Sequence, residues 1–192
     1  MGFTTTGLES KDHDVIVSLG NAIPRAMRSA AVHIRDNTDL SKRWFGDNDI
    51  CWIFELQRKL NRFATIIEIH TINIIWITNA GHYENYVAMS LPPPYGWRDN
   101  TRDDNYWDLN QQPETTTFKI ALGSGWHERP MFRNPANSCS QFQTIVHELS
   151  HLLVGTDDIT SGYNRCQKYA NNNSNFAKKN ADSWGFFIES FR

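Results

Sequence analysis

The sequence has little cysteine and no cluster of basic residues. Its three cysteines, Cys51, Cys139 and Cys166, are widely spaced and include no C-x-x-C pair, which argues against a disulfide framework. A single bridge between Cys139 and Cys166 stays open. The 19 basic and 21 acidic residues are interspersed and leave a net charge of -2, so nothing predicts a nucleic-acid-binding surface.

A long apolar run is also absent. The most apolar segment, residues 66–77, is interrupted by Glu68 and His70 and is too short to span a membrane. Residues 1–6 lack the charged and apolar regions of a secretory signal peptide. We therefore expect no membrane span, and we expect a protein that is secreted with a signal outside this sequence or delivered by a specialised export route.

What the sequence does contain is enough apolar surface for one core. Of its 192 residues, 40% are hydrophobic and 12% are aromatic, which predicts a single folded domain over residues 1–192. Residues 1–12 are polar and are interpreted as a flexible lead-in to that domain. We find no internal repeat and no linker between domains.

Hydrophobic periodicity predicts an α+β domain in which helices precede a small mixed sheet. Helices are predicted over residues 14–35, 50–67 and 177–191, and strands over residues 71–78, 86–90 and 118–123. Pro24 is expected to break the first helix into two pieces. Residues 43–46 are interpreted as an aromatic turn. Residues 91–117 are rich in proline and polar residues, which favours a long loop acting as a cleft wall or lid.

An H-E-x-x-H motif at His147, Glu148 and His151 predicts the functional site. Two histidines four residues apart lie on one face of a helix, so both imidazoles can bind one zinc ion while the glutamate activates a water. The apolar residues of this segment lie on the opposite face: Phe142, Ile145, Val146, Leu149, Leu152 and Leu153. The alternative is a pair of surface histidines that bind no metal.

Local signals predict both ends of this helix. Ser140 and Gln143 have the S-x-x-Q spacing of a capping box. Gly155 suits the left-handed turn that ends a helix. Such a turn sends the chain back toward the histidines, and the carboxylates of Asp157 and Asp158 follow immediately.

The segment from His147 to Asp158 resembles the signature of the aspzincin family, H-E-x-x-H followed by G-T-x-D. This family comprises the deuterolysins and the peptidyl-lysine metalloendopeptidases. Three more segments resemble family elements in the correct order: 43–46, 119–123 and 180–187. The resemblance implies a zincin-like α+β fold and a zinc metalloendopeptidase that acts on protein or peptide substrates.

The resemblance also implies roles for individual residues. His147, His151 and Asp158 are the implied ligands of one zinc ion per chain, and Asp157 is the less favoured alternative to Asp158. Glu148 is the implied general base, which takes a proton from the attacking water and passes it to the leaving amine. No fourth protein ligand is evident, and the fourth position is left for water.

Two further site residues lie where the sequence departs from the family pattern. Tyr163 is a candidate catalytic residue whose hydroxyl could stabilise the oxyanion, but it comes two residues late and after Gly162, so a packing tyrosine is the alternative. Asp182 is the candidate substrate-binding residue. The lysine-specific members have a second acidic residue three positions later, where this chain has Gly185. We therefore expect a preference for basic side chains rather than strict cleavage at lysine, the alternative for Asp182 being a structural hydrogen bond.

Two other functions stay open at this point. The same site could cleave cell-wall peptides in an antibacterial effector, or the chain could be a non-catalytic protein-binding domain stabilised by zinc. Glu148 argues against the second function, because a structural zinc site has no use for a general base. The remaining histidines lack ligand spacing and are interpreted as surface or core residues: His13, His33, His70, His82 and His127.

Overall fold

The computed structural model describes residues 2–76, 87–91, 117–133 and 139–192. The elements of these ranges follow one another as β1 (Phe3–Thr6), α1 (Ser10–His33), α2 (Thr38–Phe45), α3 (Ile50–Ile69), β2 (Thr71–Trp76), β3 (Ala88–Leu91), β4 (Thr117–Leu122), α4 (Gln141–Val154), α5 (Tyr163–Asn172), α6 (Ser174–Lys179) and α7 (Ala181–Glu189), with one turn of 3₁₀-helix, Ser124–Trp126, before α4. The predicted α+β class is confirmed. The predicted loop over residues 91–117 lies almost entirely outside the described residues.

The four strands form one mixed sheet in the order β1-β2-β4-β3. Strands β1, β2 and β4 are parallel, with Ile74 of β2 opposite Ile120 of β4. Strand β3 is antiparallel to β4 and places Ser90 opposite Ile120. Because β3 is an edge strand, its second row of backbone groups is available to the helix beside it, which is α4.

The N-terminal segment differs from its predicted form. Residues 1–12 were expected as a flexible lead-in, but Phe3–Thr6 forms β1 and α1 already begins at Ser10. The strand is held by parallel pairing with β2, in which Phe3 lies opposite Ile72. Pairing with a strand almost seventy residues away leaves no periodic signal in a four-residue segment, so the sequence alone did not reveal β1.

The predicted break at Pro24 is wrong, because α1 is continuous from Ser10 to His33. Apolar residues on both sides of the proline are fully buried: Ile16, Leu19, Met27 and Ala30. This stripe packs along α3. Burial of the stripe on both sides of Pro24 offsets the missing hydrogen bond, which costs about 3 kcal/mol in an exposed helix.

The aromatic turn and the last helix also differ from prediction. Residues 43–46 are the end of α2, which Gly46 closes in the left-handed conformation at φ 69°. The predicted helix over 177–191 is divided at Asn180, which separates α6 from α7. Helix α5 was not predicted, because only Cys166 and Ala170 of its ten residues are buried and its sequence lacks an apolar stripe.

Helix α4 has the ends that the sequence predicted. The Ser140 hydroxyl accepts a hydrogen bond from the Gln143 amide at 3.0 Å, which caps the first turn. Gly155 ends the helix with φ 72° and ψ 39°. The apolar face of α4 is buried, and α7, whose nine residues are all buried, packs against it. One face of α4 is thereby fixed in the core.

The cysteines and the helix lengths bear on the predictions about disulfides and membrane spans. All three cysteines are free, so the Cys139–Cys166 bridge that the sequence left open is not formed. Among the described helices, none has the length and hydrophobicity that a membrane span requires.

Candidate active site

Helix α4 presents the predicted residues to one cavity. His147, Glu148 and His151 line a cavity of about 580 Å³ together with Asp158. Gln143 and His147, like His147 and His151, are four residues apart and therefore share this face of the helix. The apolar residues of α4 point the other way, into the core. We call this space the active-site cavity.

Three ligand atoms converge in the active-site cavity. The Nε2 atoms of His147 and His151 lie 3.1 Å apart. Oδ1 of Asp158 lies 2.9 Å from Nε2 of His147 and 3.3 Å from Nε2 of His151. Within the described ranges this is the one group of three or more metal-ligating side chains, and its carboxylate belongs to Asp158 rather than to Asp157.

The opposite nitrogen of each histidine is held by an acceptor. Nδ1 of His147 lies 2.6 Å from Oδ1 of Asp182. Nδ1 of His151 lies 2.8 Å from the main-chain oxygen of Thr156. Because an acceptor at Nδ1 keeps the proton on that nitrogen, the lone pair of each neutral ring is on Nε2, where the rings converge.

The donor set fits a zinc ion. Ligand bonds of about 2.0–2.1 Å at tetrahedral angles would separate the ligand atoms by about 3.3 Å. The three separations found here, from 2.9 to 3.3 Å, are close to that value. Two imidazoles and one carboxylate are also ligands that zinc prefers, and they leave a fourth position for water.

The loop that carries Asp158 is anchored by the segment that begins α7. We call residues 156–162 the metal loop. The Asn180 side chain accepts hydrogen bonds from the main-chain amides of Ile159 and Thr160, at 3.2 and 2.9 Å. The backbone of Asp157 pairs with Lys179 and Ala181 on either side of Asn180. Residues 180–187, which resembled a family element in the sequence, therefore pack beside the metal loop.

Glu148 is buried and held by the edge strand. It is 7% exposed, and its Oε2 accepts a hydrogen bond of 2.6 Å from the main-chain amide of Ser90. Burial raises the pKa of Glu148 above its usual value, although His147 and His151 oppose the shift. A carboxylate with a raised pKa beside a metal site is a better proton acceptor than a free glutamate.

The carboxylates around His147 set its protonation in the metal-free protein. Burial disfavours the charged ring, but hydrogen bonds to Asp158 and Asp182 outweigh it and raise the pKa of His147 to about 10. Hydrogen bonds that Asp158 accepts from His147 and His151 hold the pKa of Asp158 far below its usual range. A cation is therefore favoured at this position, either as a proton or as a metal ion.

Asp182 lies deep in the wall and is fully engaged. Its Oδ1 accepts from His147 and, at 2.7 Å, from Nε2 of Gln143, and its Oδ2 accepts from the Gly162 amide at 2.8 Å. Asp182 and Gln143 are 6% and 1% exposed. The structure thus joins Asp182 to the His147 ring and to the metal loop. Its predicted role in substrate binding stays a prediction.

Gly185 has a steric reason to lack a side chain. A Cβ at this position would lie 2.8 Å from the main-chain oxygen of Gln143 and 3.0 Å from its Nε2. The Gln143 side chain therefore lies where an acidic residue at position 185 would begin. The departure from the lysine-specific pattern is accommodated by the contact between α4 and α7.

Tyr163 lies among aromatic rings. Its ring packs edge-on against Trp44 and Phe186, with centroid separations of 4.9 and 5.5 Å, and the Arg133 guanidinium lies 4.7 Å above it. Tyr163 is not among the described residues that line the active-site cavity, whereas the preceding Gly162 is. The structure does not bring Tyr163 into the cluster, and its predicted catalytic role stays a prediction.

Four residues of the site were not identified from the sequence. Ser90 and Thr156 hold Glu148 and His151 through main-chain atoms, which any side chain could supply. Arg129 and Cys139 line the active-site cavity and belong to no motif. Burial raises the pKa of the Cys139 thiol, which disfavours the thiolate that would compete for a metal.

The other histidines do not join the cluster within the described ranges. His70 is 8% exposed, and Nε2 of His127 lies 3.0 Å from the carboxylate of Asp12. His13 lies 2.8 Å from the Thr5 hydroxyl. His82 lies outside the described residues.

Comparison with known proteins gives a match to one family model and a match in fold to a solved structure. Residues 104–189 match the family model of the aspzincins, described as lysine-specific metallo-endopeptidase. The fold matches the solved structure of a zinc peptidase from Grifola frondosa, with a TM-score of 0.62, 17% sequence identity, and 95% of this chain and 97% of that chain covered. The search among curated proteins gives no match. The predicted resemblance, the zincin-like fold and the prediction of a metalloendopeptidase are confirmed.

Proposed function

We propose that this chain is a zinc metallopeptidase of the aspzincin type, which hydrolyses internal peptide bonds of proteins in the active-site cavity with one zinc ion per chain. One observation carries the proposal. The Nε2 atoms of His147 and His151 and Oδ1 of Asp158 converge within 4.8 Å of one another, and Glu148 lines the same cavity. A buried glutamate beside three converging ligand atoms is the arrangement that metal-assisted hydrolysis requires.

His147, His151 and Asp158 are the proposed zinc ligands. Asp182 and the main-chain oxygen of Thr156 keep the Nδ1 protons in place, so both rings offer Nε2 without rearrangement. When bound, zinc supplies a lowered pKa for the attacking water and polarises the scissile carbonyl. Asn180 supports the third ligand by fixing the backbone of the metal loop after Asp158.

Glu148 is the proposed general base. Its Oε2 is fixed by the Ser90 amide, and its Oε1 lies 3.8 Å from Nε2 of His147, beside the proposed ligand atoms. As the water oxygen attacks the carbonyl carbon, Glu148 takes one water proton. It then gives that proton to the amide nitrogen as the C–N bond breaks, so a free amine leaves and the carboxylate is restored.

The contacts of Asp182 do not favour the expected preference for basic side chains. It depended on an Asp182 carboxylate open to substrate, and that carboxylate already accepts three hydrogen bonds. We propose that Asp182 positions His147 instead. For Tyr163, a catalytic hydroxyl predicts slower turnover in Tyr163→Phe, whereas a packing ring predicts nearly unchanged turnover.

Glu148→Gln tests the proposed function. The variant should bind about one zinc ion per chain and lose at least about 10²-fold in casein hydrolysis, because the amide cannot take the proton. Glu128→Gln is the matched control, since Glu128 is exposed and does not line the active-site cavity. Metal analysis and release of labelled casein peptides are the measurements.

Three other outcomes would count against the proposal. If Glu148→Gln cleaves casein as fast as the unaltered protein, Glu148 is not the base. Cleavage of muropeptides without cleavage of protein would favour the cell-wall hydrolase. Zinc binding without hydrolysis of either substrate would favour the non-catalytic binding domain.

A further inference from the structure

Arg129 lines the active-site cavity and contacts Thr144, which lies one turn of α4 before the proposed metal ligands. Nη1 of Arg129 donates a hydrogen bond of 3.2 Å to the Thr144 hydroxyl. Thr144 precedes His147 by three residues and Glu148 by four, so it lies on the same face, about 5–6 Å away. The guanidinium therefore lies beside the reacting centre, at a distance that neighbouring residues of a bound peptide would reach.

The backbone around Arg129 is tied to α4. The main-chain oxygens of Pro130 and Met131 accept hydrogen bonds from Gln141 and Phe142, at 2.9 and 3.0 Å. The Arg129 amide donates to the Trp126 oxygen at 3.3 Å. The half-buried Arg129 is therefore part of a wall whose backbone is fixed on both sides, and this wall is continuous with the first turn of α4.

The charge of Arg129 is not neutralised by the carboxylates around it. In the ranges that the structure describes, Arg129 has no ion pair. Its guanidinium donates to the Thr144 hydroxyl and to the Cys139 sulfur, which leaves others of its five N–H donors for a ligand. The buried Glu189 accepts from Ser140 and the Arg133 amide, at 2.7 and 2.8 Å. A guanidinium in a substrate cavity that still has N–H donors without an acceptor favours a carboxylate ligand.

Asp182 does not offset this positive charge toward the substrate. Its two oxygens accept hydrogen bonds from His147, Gln143 and Gly162, and it is 6% exposed. Gln143, one of these donors, is 1% exposed. A lysine ammonium could pair with Asp182 only in competition with these three donors, and it would also be repelled by Arg129.

We propose that Arg129 is a specificity-determining residue that binds the carboxylate of an aspartate or glutamate beside the scissile bond and disfavours lysine there. The inference rests on the proposed function and names the substrate class of the same site. Consecutive Cα atoms are about 3.8 Å apart, so a side chain next to the scissile bond can extend along the cavity toward Thr144, which Arg129 contacts. The attraction of a carboxylate and the repulsion of an ammonium act in the same direction.

Matched peptides test this proposal. Peptides that differ only in Glu, Gln or Lys, placed on either side of one cleavable bond, should rank Glu over Gln over Lys in catalytic efficiency at one of the two positions. We expect a Glu-to-Lys ratio of about tenfold, as for a partly buried ion pair. Arg129→Gln should bring the ratio close to one, Arg129→Glu should reverse it, and Arg129→Lys should retain part of it.

Two controls separate folding and turnover from specificity. Arg165→Gln removes the same charge from an exposed position on α5 and should keep the Glu-to-Lys ratio. Fluorescence polarisation of the same peptides on zinc-loaded Glu148→Gln measures the preference without turnover. Absence of cleavage by the unaltered protein together with a Glu preference in binding would reject the proposed function and support the role of Arg129.

A lysine preference of the unaltered protein would overturn the proposal. It would be overturned equally if Arg129→Gln folds, as judged by an unchanged melting temperature, and keeps the Glu-to-Lys ratio in both cleavage and binding. Cleavage with no ratio at either position would also reject it.

Discussion

His147 lies between two carboxylates at similar distances from its ring, and these carboxylates differ in the ring nitrogen they face and in their exposure. Asp158 is 2.9 Å from Nε2 and its side chain is 72% exposed, whereas Asp182 is 2.6 Å from Nδ1 and its side chain is 8% exposed. Asp158 shares its oxygen with His151, and Asp182 is bound by Gln143 and Gly162. The nitrogen that each carboxylate faces, rather than its distance from the ring, therefore distinguishes the proposed ligand Asp158 from the proposed support Asp182.

The two carboxylates also differ in what fixes them. Asp182 belongs to the buried helix α7 and is held by three donors. Burial works to raise its pKa, but the bond from His147 and the other donors lower it, so it stays ionised. Asp158 is on the metal loop, whose backbone is fixed by Asn180 while its side chain faces the cavity. The partners of the Asp158 carboxylate are the two imidazoles that would share a metal ion with it, whereas Asp182 would have to give up interior partners.

Removal of the proposed ligand should have the largest effect. Asp158→Asn should weaken zinc binding by more than about 10²-fold, because it removes the one charged donor of the cluster. Competition with a chromophoric chelator measures the affinity. Asp157→Asn is the control, an adjacent exposed aspartate outside the cluster, and should change the affinity little. If only Asp157→Asn lost zinc, Asp157 would be the third ligand in place of Asp158.

Removal of the support should have an intermediate effect. Asp182→Asn should weaken zinc binding by about 10–100-fold, the usual cost of losing the partner of a metal-bound histidine. The asparagine amide group would also face the donors of Gln143 or Gly162. The same chelator competition provides the measurement. If Asp182→Asn weakened zinc binding more than Asp158→Asn, Asp182 rather than Asp158 would be the stronger candidate for the ligand.

The pH dependence of stability should have opposite signs with and without metal. In the metal-free protein, His147 has a pKa of about 10 against 6.5 unfolded, so its contribution is complete below pH 6.5 and is lost as pH rises toward 10. Zinc competes with that proton, so zinc affinity should rise over the same range. Melting temperatures between pH 6 and 9, with EDTA or with zinc, measure both trends. A metal-free protein that gains stability from pH 6.5 to 9 would contradict the proposed protonation of His147.

Tyr163→Phe should have the smallest effect. Phenylalanine keeps the ring contacts with Trp44 and Phe186, so we expect an unchanged melting temperature and a turnover rate within about threefold of that of the unaltered protein. Tyr163→Ala should instead lower the melting temperature, because it leaves a void between these rings. If a stable Tyr163→Phe variant turns over substrate about 10²-fold more slowly, the catalytic hydroxyl that the sequence predicted is established.

Local patterns predicted the parts of the site that lie on one helix. The spacing of His147 and His151, the Ser140 cap and the Gly155 turn are properties of consecutive residues, and the structure reproduces the helix and both of its ends. The α+β class also followed from periodicity. The cluster of the two histidines with Asp158 matches the set that the family resemblance implied.

The contacts between residues far apart in the chain could not be predicted from the sequence. The partners of Asp182 come from α4 and the metal loop, and the Ser90 amide reaches Glu148 from a strand 58 residues away. Main-chain donors carry no residue identity, so no motif reveals them. Arg129 is near the site only because its backbone is tied to the first turn of α4. A lone arginine between predicted elements gives no such signal.

The zinc K-edge X-ray absorption spectrum of the zinc-loaded protein tests the central assignment most directly. His147, His151 and Asp158 predict a shell of nitrogen and oxygen at about 2.0–2.1 Å with two imidazole contributions. Asp158→Asn should lose this spectrum under the same loading conditions, and Asp157→Asn should keep it. A sulfur scatterer at about 2.3 Å would contradict the assignment and place the metal on a cysteine such as Cys139, which lines the same cavity.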